Sequence, residues 1–211
     1  QDGEWWRLAT ALFLHFGAVH LTLNMVAFWD DGQLVERMYG HWRYLLIYLA
    51  SGLGGNLLSL VWQGNQAVSG GASGAIFGIY GALIVFLWHE RADLENREFR
   101  WLFGGACVFA LATIALGFMI PAIDNAAHIG GFVTGMLTGV IGMRSLRAEH
   151  SISKVARMVG AGLLLAAIVV MLNNLPVPRY RWGDELLLQK QINAFMREDQ
   201  AINRSWLKIM H

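Results

Sequence analysis

The sequence predicts an all-α protein, a bundle of helices that crosses a membrane several times. Hydrophobic residues make up 55% of the chain and charged residues only 15%, whereas charged residues are about 25% of ordinary globular domains. Long apolar stretches recur, each close to the roughly 20 residues that cross about 30 Å of hydrocarbon as a helix. These stretches are Trp42–Trp62, Ser73–Trp88, Trp101–Ile120, Ile129–Met143 and Val159–Leu172. Such a series is typical of a polytopic membrane protein.

Composition also narrows the kinds of partner and cofactor. The formal net charge of +1 gives no indication of a nucleic-acid partner. The single cysteine, Cys107, excludes an internal disulfide and a cysteine-based zinc site, and H-E-x-x-H, P-loop and dinucleotide motifs are absent from the sequence. We therefore predict no metal and no cofactor, with the lipid bilayer as a partner. Because the chain starts at Gln1 without a methionine, we expect a fragment that lacks a preceding helix.

The first two elements are an interfacial segment and a polar first span. Residues 1–14 are amphipathic and rich in aromatics, and their paired tryptophans beside an arginine are typical of a membrane interface. The span from about Phe16 to Met38 carries His20 and Asn24, which are four residues apart and hence on one helix face. Intramembrane polar groups usually point into a bundle or a wet cavity. Hydrogen bonds between helices are the alternative explanation for this pair.

A glycine-rich stretch around Ser73 is the centre of the sequence. Residues 67–78 contain four glycines, and three of them surround the serine, which leaves its hydroxyl open to close approach. The third span, predicted from Ser73 to about His89, has only 17 residues, or roughly 25 Å, a few Å less than the hydrocarbon core. If its other end lies at the interface, Ser73 starts below the opposite surface. The sequence thus predicts a serine inside the membrane.

Four other spans complete a predicted bundle of six. The second is Trp42–Trp62, and the fourth follows a mixed-charge loop at residues 90–100. The fifth opens at His128, and the sixth extends from about Val155 to Leu172. We predict three regions, namely a helical core at residues 1–146, a basic linker with an appended span at 147–173, and an extracytoplasmic amphipathic tail at 174–211.

Glycines on the third and fifth spans are spaced for close helix packing. Gly74 and Gly78 form a small-xxx-small stripe on the third span, and Gly131 and Gly135 form another on the fifth. Packing alone explains such stripes. Close approach of these two helices would also bring the serine of one within hydrogen-bond reach of the histidine of the other.

Lysine and arginine predict the orientation. The connections after spans one, three and five carry nine positive residues, and those after spans two and four carry none. Because positive residues stay on the cytoplasmic side, the odd-numbered spans start outside and run inward in parallel. Their outer ends carry His20 with Asn24, Ser73, and His128. We therefore expect these polar residues to converge in a site that opens to the extracytoplasmic side, in a multi-pass protein of the bacterial inner membrane.

This convergence indicates nucleophilic catalysis. A serine hydroxyl is a poor nucleophile until a base takes its proton, and neutral histidine is the usual base near neutral pH. Ser73 and His128 supply that pair. We predict a dyad because no carboxylate is well placed, and Asp124, four residues before the histidine, is expected to be a helix cap or a loop residue. Acyl transfer also needs donors for the oxyanion. The Ser73 amide at a helix N-terminus and the side chains of His20 and Asn24 are candidates.

At these residues the sequence resembles the rhomboid family of intramembrane serine proteases, over about residues 4–146. The matching pieces are Trp6-Arg7, His15-Phe16 with His20 and Asn24, Gly32 with Glu36, Gly71-x-Ser73-Gly74, and Ala127-His128-x-x-Gly131-x-x-x-Gly135. The resemblance implies Ser73 as nucleophile, His128 as general base, and Gly71 in the loop lining the site. It also implies His20 and Asn24 as oxyanion stabilisers, transmembrane proteins as substrates, and no cofactor.

Three features lie outside the family's pattern. The family core has six helices. We expect that the one preceding the Trp6-Arg7 position is missing from this fragment, so the six predicted spans would be family helices two to six with one appended at the C-terminus. The Asp30-Asp31 pair is unusual in the cytoplasmic half of a span, and we predict no role for it. Residues 187–196 of the tail form an apolar stripe at helical spacing. It predicts a helix on the membrane surface or over the core, with gating of substrate entry as the alternative.

The sequence therefore predicts a serine endopeptidase that cleaves a peptide bond in or near the transmembrane segment of another membrane protein. A rhomboid-like pseudoprotease that binds membrane-protein clients without cutting them is the alternative, although such a binder needs neither Ser73 nor His128. A small-solute channel or transporter would also explain polar groups in the bundle. It predicts sites along a pore, whereas these residues are expected at one depth.

Overall fold

A computed structural model describes residues 4–64, 68–120, 123–147, 151–177 and 182–209. Over these ranges the chain is helical with connecting turns and contains no strand. The helices are α1 (Trp6–Thr10), α2 (Ala18–Tyr39), α3 (His41–Gln63), α4 (Ser73–His89), α5 (Asn96–Met119), α6 (Asn125–Gly142), α7 (Lys154–Asn173) and α8 (Trp182–Ile209), and a 3-10 turn (Ala11–Phe13) follows α1. The predicted all-α class is confirmed.

Several helices are long and apolar enough to cross a membrane. By length and composition α3, α5 and α7 each qualify, and the bent pair formed by residues 6–13 and 18–39 would make a fourth span. Helix α4 is shorter, with 17 residues, and α6 has 18. The predicted membrane bundle is confirmed, while the number of six spans stays a prediction.

The segment before α2 turns sharply. The stretch from α1 to the 3-10 turn lies at 90° to α2, and Gly17 at the corner has φ of +113°, a conformation that residues with a side chain rarely adopt. Trp6 and Phe13 on this stretch are exposed. A right angle to a membrane-crossing helix would lay these aromatics along the membrane surface, in agreement with the predicted interfacial segment.

Helix α4 is the centre of the core. Twelve of its 17 residues are buried, including three glycines, and α2, α3, α5 and α6 all pack against it. In contrast, α5 buries only Ala106 and Ala110, and α7 buries only Gly160. Many apolar side chains of these two helices are instead exposed, which is the expected arrangement where the surrounding solvent is lipid.

Helix α5 begins earlier than the sequence analysis predicts. The predicted loop is wrong for residues 96–100, because α5 starts at Asn96 and includes the charged residues before Trp101. An apolar run marks only the part of a helix that lies in lipid, and here the helix continues into the charged interface. Glu98 in its first turn is favourable there, because a helix N-terminus carries partial positive charge.

Helix α8 contains the predicted apolar stripe. Leu187, Leu188, Ile192, Phe195 and Met196 are exposed along it. The predicted amphipathic helix is therefore present, while its location outside the cytoplasm stays a prediction.

Candidate active site

Ser73 and His128 lie in hydrogen-bond contact although 55 residues separate them, with Nε2 of His128 3.0 Å from Oγ of Ser73. Ser73 is the first residue of α4, where backbone amides lack partners within the helix. His128 lies near the start of α6 and is only 5% exposed. The structure thus brings the two residues together where the predicted dyad requires them.

Glycine stripes explain the close approach of α4 and α6. A Cβ on Gly131 would collide with the backbone of Gly74, and a Cβ on Gly135 would collide with the backbone of Gly78. Only residues without a side chain allow this direct contact between helix backbones. The two stripes singled out in the sequence therefore pack against each other, and their contact holds Ser73 and His128 at their observed separation.

Phe77 orients the ring of His128. The two ring centroids lie 4.2 Å apart with 8° between the ring planes. Nδ1 of His128 is buried and has no hydrogen-bond partner among the residues that the structure describes, so stacking and the serine hold the ring without a carboxylate. The sequence analysis missed Phe77. Its position four residues after Ser73, on the same face of α4, is the signal that could have identified it.

Asp124 is the N-cap of α6. Its Oδ1 accepts a hydrogen bond from the backbone N–H of Ala127 at 3.0 Å, which confirms the predicted cap. The same carboxylate also accepts bonds from Ser59 and Gln63 of α3. Asp124 therefore contacts the start of the helix that carries His128, and not the imidazole itself.

His20 and Asn24 face the loop that precedes Ser73. Gly71 in this loop has φ of +116°, and a Cβ there would lie 2.9 Å from Nε2 of His20 and 3.4 Å from Nδ2 of Asn24. The backbone N–H of Phe16 donates to Nδ1 of His20 at 3.3 Å, so a neutral ring carries its proton on Nε2. Nδ2 of Asn24 is buried without a partner among the described residues. Two N–H donors therefore lie beside Gly71, which is two residues before the serine in the chain.

The loop before Ser73 is anchored at two points. The backbone N–H of Gly71 donates to the carbonyl of Ala11 at 2.8 Å. Asn56 donates from Nδ2 to the carbonyl of Leu8 at 2.7 Å and accepts at Oδ1 from the hydroxyl of Ser69 at 3.1 Å. Asn56 of α3 thus joins the interfacial segment to the loop. The sequence analysis missed this residue, an isolated amide within an apolar run.

Asp31 has a partner inside the bundle. It accepts a hydrogen bond from the hydroxyl of Tyr80, whose ring stacks on Phe109 of α5 with centroids 4.3 Å apart. Asp31 therefore links α2 to α4, whereas Asp30 is exposed. A half-buried carboxylate with a hydroxyl donor is far less costly in a membrane than one without.

Comparison with known proteins agrees with this geometry. Residues 2–145 match the family model described as the Rhomboid domain. Rhomboid protease GluP of Bacillus subtilis is 40% identical over 171 residues, which are 80% of this chain and 31% of that protein. Rhomboid-type serine protease 2 of Emericella nidulans is 36% identical over 145 residues, 69% of this chain and 28% of that protein. RHOMBOID-like protein 5 of Arabidopsis thaliana is 35% identical over 142 residues, 67% of this chain and 45% of that protein. The chain spans less than half the length of each of these relatives.

Proposed function

Because the chain belongs to the rhomboid family of intramembrane serine proteases, we propose that it is an active endopeptidase in which Ser73 is the nucleophile and His128 the general base. The observation that carries this proposal is the 3.0 Å contact between Nε2 of His128 and Oγ of Ser73. Its support comes from where the contact lies. It is half-buried between two helices whose glycines allow backbone contact, and two side-chain N–H donors lie beside Gly71 in the loop that precedes the serine.

In the proposed reaction, Oγ of Ser73 attacks the carbonyl carbon of the scissile peptide bond while Nε2 of His128 takes the hydroxyl proton. Negative charge then develops on the carbonyl oxygen. The N–H groups of His20, Asn24 and the Ser73 backbone would stabilise it, and one such donor contributes about 3 kcal/mol in other acyl-transfer enzymes. The imidazolium gives its proton to the leaving nitrogen, and the neutral ring then activates the water that hydrolyses the acyl-enzyme.

We propose transmembrane proteins as substrates. In an unbroken membrane helix every carbonyl is hydrogen-bonded, so a cleavable segment needs small, helix-destabilising residues near the cut that let it unwind. The positive residues in the connections after the odd-numbered spans support a site that opens on the extracytoplasmic side. The location in a bacterial inner membrane stays a prediction, and so does the division of the chain at residues 146 and 173.

Labelling by a fluorophosphonate probe tests the dyad. The protein is reconstituted in lipid vesicles, and the rate of covalent labelling is measured. We expect Ser73→Ala to abolish labelling and His128→Ala to slow it at least roughly 100-fold, because an unactivated hydroxyl reacts poorly.

Two variants away from the site serve as matched controls. Ser153→Ala removes a serine before α7, and His41→Ala removes a histidine that pairs with Glu36. Both should label at the wild-type rate. A folded wild type that the probe does not label would contradict the proposal and favour a pseudoprotease that binds membrane-protein clients.

A further inference from the structure

Three side chains form a closed hydrogen-bonded group between α3 and α6. The hydroxyl of Ser59 donates to Oδ2 of Asp124 at 2.5 Å. The amide of Gln63 donates to Oδ1 of Asp124 at 2.9 Å and to Oγ of Ser59 at 3.0 Å. Each member therefore bonds to the other two, and we call this group the Asp124 cluster.

The Asp124 cluster determines where α6 begins. Asp124 also accepts from the backbone N–H of Ala127 as the N-cap of α6. Ser59 and Gln63 are four residues apart, on one face of the last turns of α3, and Ser59 is fully buried. The first turn of α6 is thus attached to α3 through a carboxylate, whose hydrogen bonds are stronger than those of a neutral acceptor.

His128 depends on this attachment because its own ring has no acidic partner within the described part of the chain. Nδ1 of the imidazole is buried and unpartnered among the described residues, so nothing holds the far side of the ring as a carboxylate does in a Ser-His-Asp triad. The position of Nε2 relative to Ser73 is therefore set by the helix backbone and by the ring stack with Phe77. A change at the helix start would move the histidine directly.

We propose that Asp124, with Ser59 and Gln63, is a positioning residue for His128 that acts through the helix start and not through the imidazole. This inference rests on the proposed function of the Ser73–His128 pair. Asp124 would thus hold the backbone at the start of α6, whereas the acid of a Ser-His-Asp triad bonds to the imidazole ring of the histidine.

The expected effect is on rate more than on folding. A displacement of about 1 Å between reacting groups can slow a reaction about 100-fold. We therefore expect Asp124→Ala to lower the second-order rate constant of fluorophosphonate labelling about 10- to 100-fold. The fraction of protein labelled at completion, which counts folded molecules, should stay close to that of the wild type.

Two further sets of variants separate position from charge and from folding. Asp124→Asn removes the charge but keeps an oxygen for the cap, and should recover most of the rate. Ser59→Ala and Gln63→Ala leave the cap in place but each remove one hydrogen bond to Asp124, and should each slow labelling about 3- to 10-fold. They also test the proposal if Asp124→Ala does not fold.

Ser153→Ala is the matched control, because the Ser153 hydroxyl caps α7 by accepting from the N–H of Ala156 at 3.1 Å. It should lower stability as a lost cap does without changing the rate constant. The proposal is overturned if the cluster variants label at the wild-type rate, if they change only the fraction labelled, or if Asp124→Asn is as slow as Asp124→Ala. An unlabelled wild type would instead overturn the proposed function itself.

Discussion

Helices α4 and α5 are neighbours that differ in what holds them in place. Helix α4 is the shorter, yet twelve of its 17 residues are buried, whereas α5 buries two of 24. Both contain glycines. Those of α4 lie against neighbouring helices, as Gly81 does against the carbonyl of Phe132, while a Cβ on Gly104 or Gly105 of α5 would meet nothing within 4 Å.

The difference shows that apolar composition alone does not identify the helices that build the site. Glycine matters where it recurs every fourth residue and faces a second such stripe, as on α4 and α6. The nucleophile and base therefore lie on two helices in direct backbone contact. Helix α5 is held by side-chain contacts such as the stacking of Phe109 on Tyr80.

The largest effect should come from adding one methyl group at the α4–α6 contact. In Gly131→Ala the new Cβ would overlap the backbone of Gly74, which cannot move aside as a flexible side chain could. We expect a loss of about 3 kcal/mol in the free energy of unfolding, or a melting temperature lower by about 6–12 °C. Thermal unfolding in detergent micelles measures this.

Gly104→Ala is the matched change on α5, where the added Cβ meets open space. It should leave stability within about 1 kcal/mol of the wild type or raise it slightly, because alanine favours the helix. Equal losses from the two substitutions would show that the α4–α6 contact is no tighter than the surface of α5.

A smaller effect is expected where Phe77 stacks on the His128 ring. Phe77→Leu keeps an apolar side chain but removes a ring contact worth about 0.5–1.5 kcal/mol. We therefore expect fluorophosphonate labelling to slow about 3- to 10-fold. Phe118→Leu on α5, where the side chain is 79% exposed, is the control and should not change the rate. A wild-type rate in Phe77→Leu would mean that the stack does not orient the base.

The smallest effect concerns the hydrogen bond that joins α5 to α6. Nδ2 of Asn125 donates to the carbonyl of Ile114 at 3.1 Å, but its Oδ1 is buried without a partner among the described residues. Asn125→Ala should therefore cost less than about 1 kcal/mol. Hydrogen exchange should become faster at residues 111–119 of α5.

The control for Asn125→Ala is an asparagine with a similar bond elsewhere. Asn174 at the end of α7 donates to the carbonyl of Val170 at 2.8 Å, and Asn174→Ala should leave exchange in α5 unchanged. If Asn125→Ala lowered stability as much as Gly131→Ala, α5 would be fixed as firmly as α4, and the contrast between the two helices would not hold.

Much of this arrangement follows from local chemistry in the sequence. The bounds of α4, Ser73–His89, agree with the prediction, because a glycine-rich loop precedes it and charged residues follow it. The meeting of Ser73 with His128 follows from two simpler patterns. Alternating positive connections place both residues at one end of the bundle, and matched glycine stripes bring their helices together.

The contacts that surround the pair could not be predicted in the same way. A helix that is apolar on all sides, such as α4, gives no periodic signal for which face meets which neighbour. Three contacts depend on how each helix is rotated about its own axis. They are the stacking of Phe77 on His128, the bond from Asn56 to Leu8 and the Asp124 cluster. Each becomes visible only when the helices have been placed.

The shortness of α4 has a consequence for how the protein responds to lipid. At 17 residues the helix is about 25 Å long, less than the roughly 30 Å hydrocarbon core of a typical bilayer. A short helix exposed to lipid would thin the bilayer around it, but α4 is enclosed by other helices. The helices whose length must match the thickness of the bilayer are therefore α3, α5 and α7, with 20 to 24 residues each. The depth of Ser73 is therefore set by protein contacts, so bilayers of different acyl-chain length should tilt the outer helices while the serine stays fixed relative to its base.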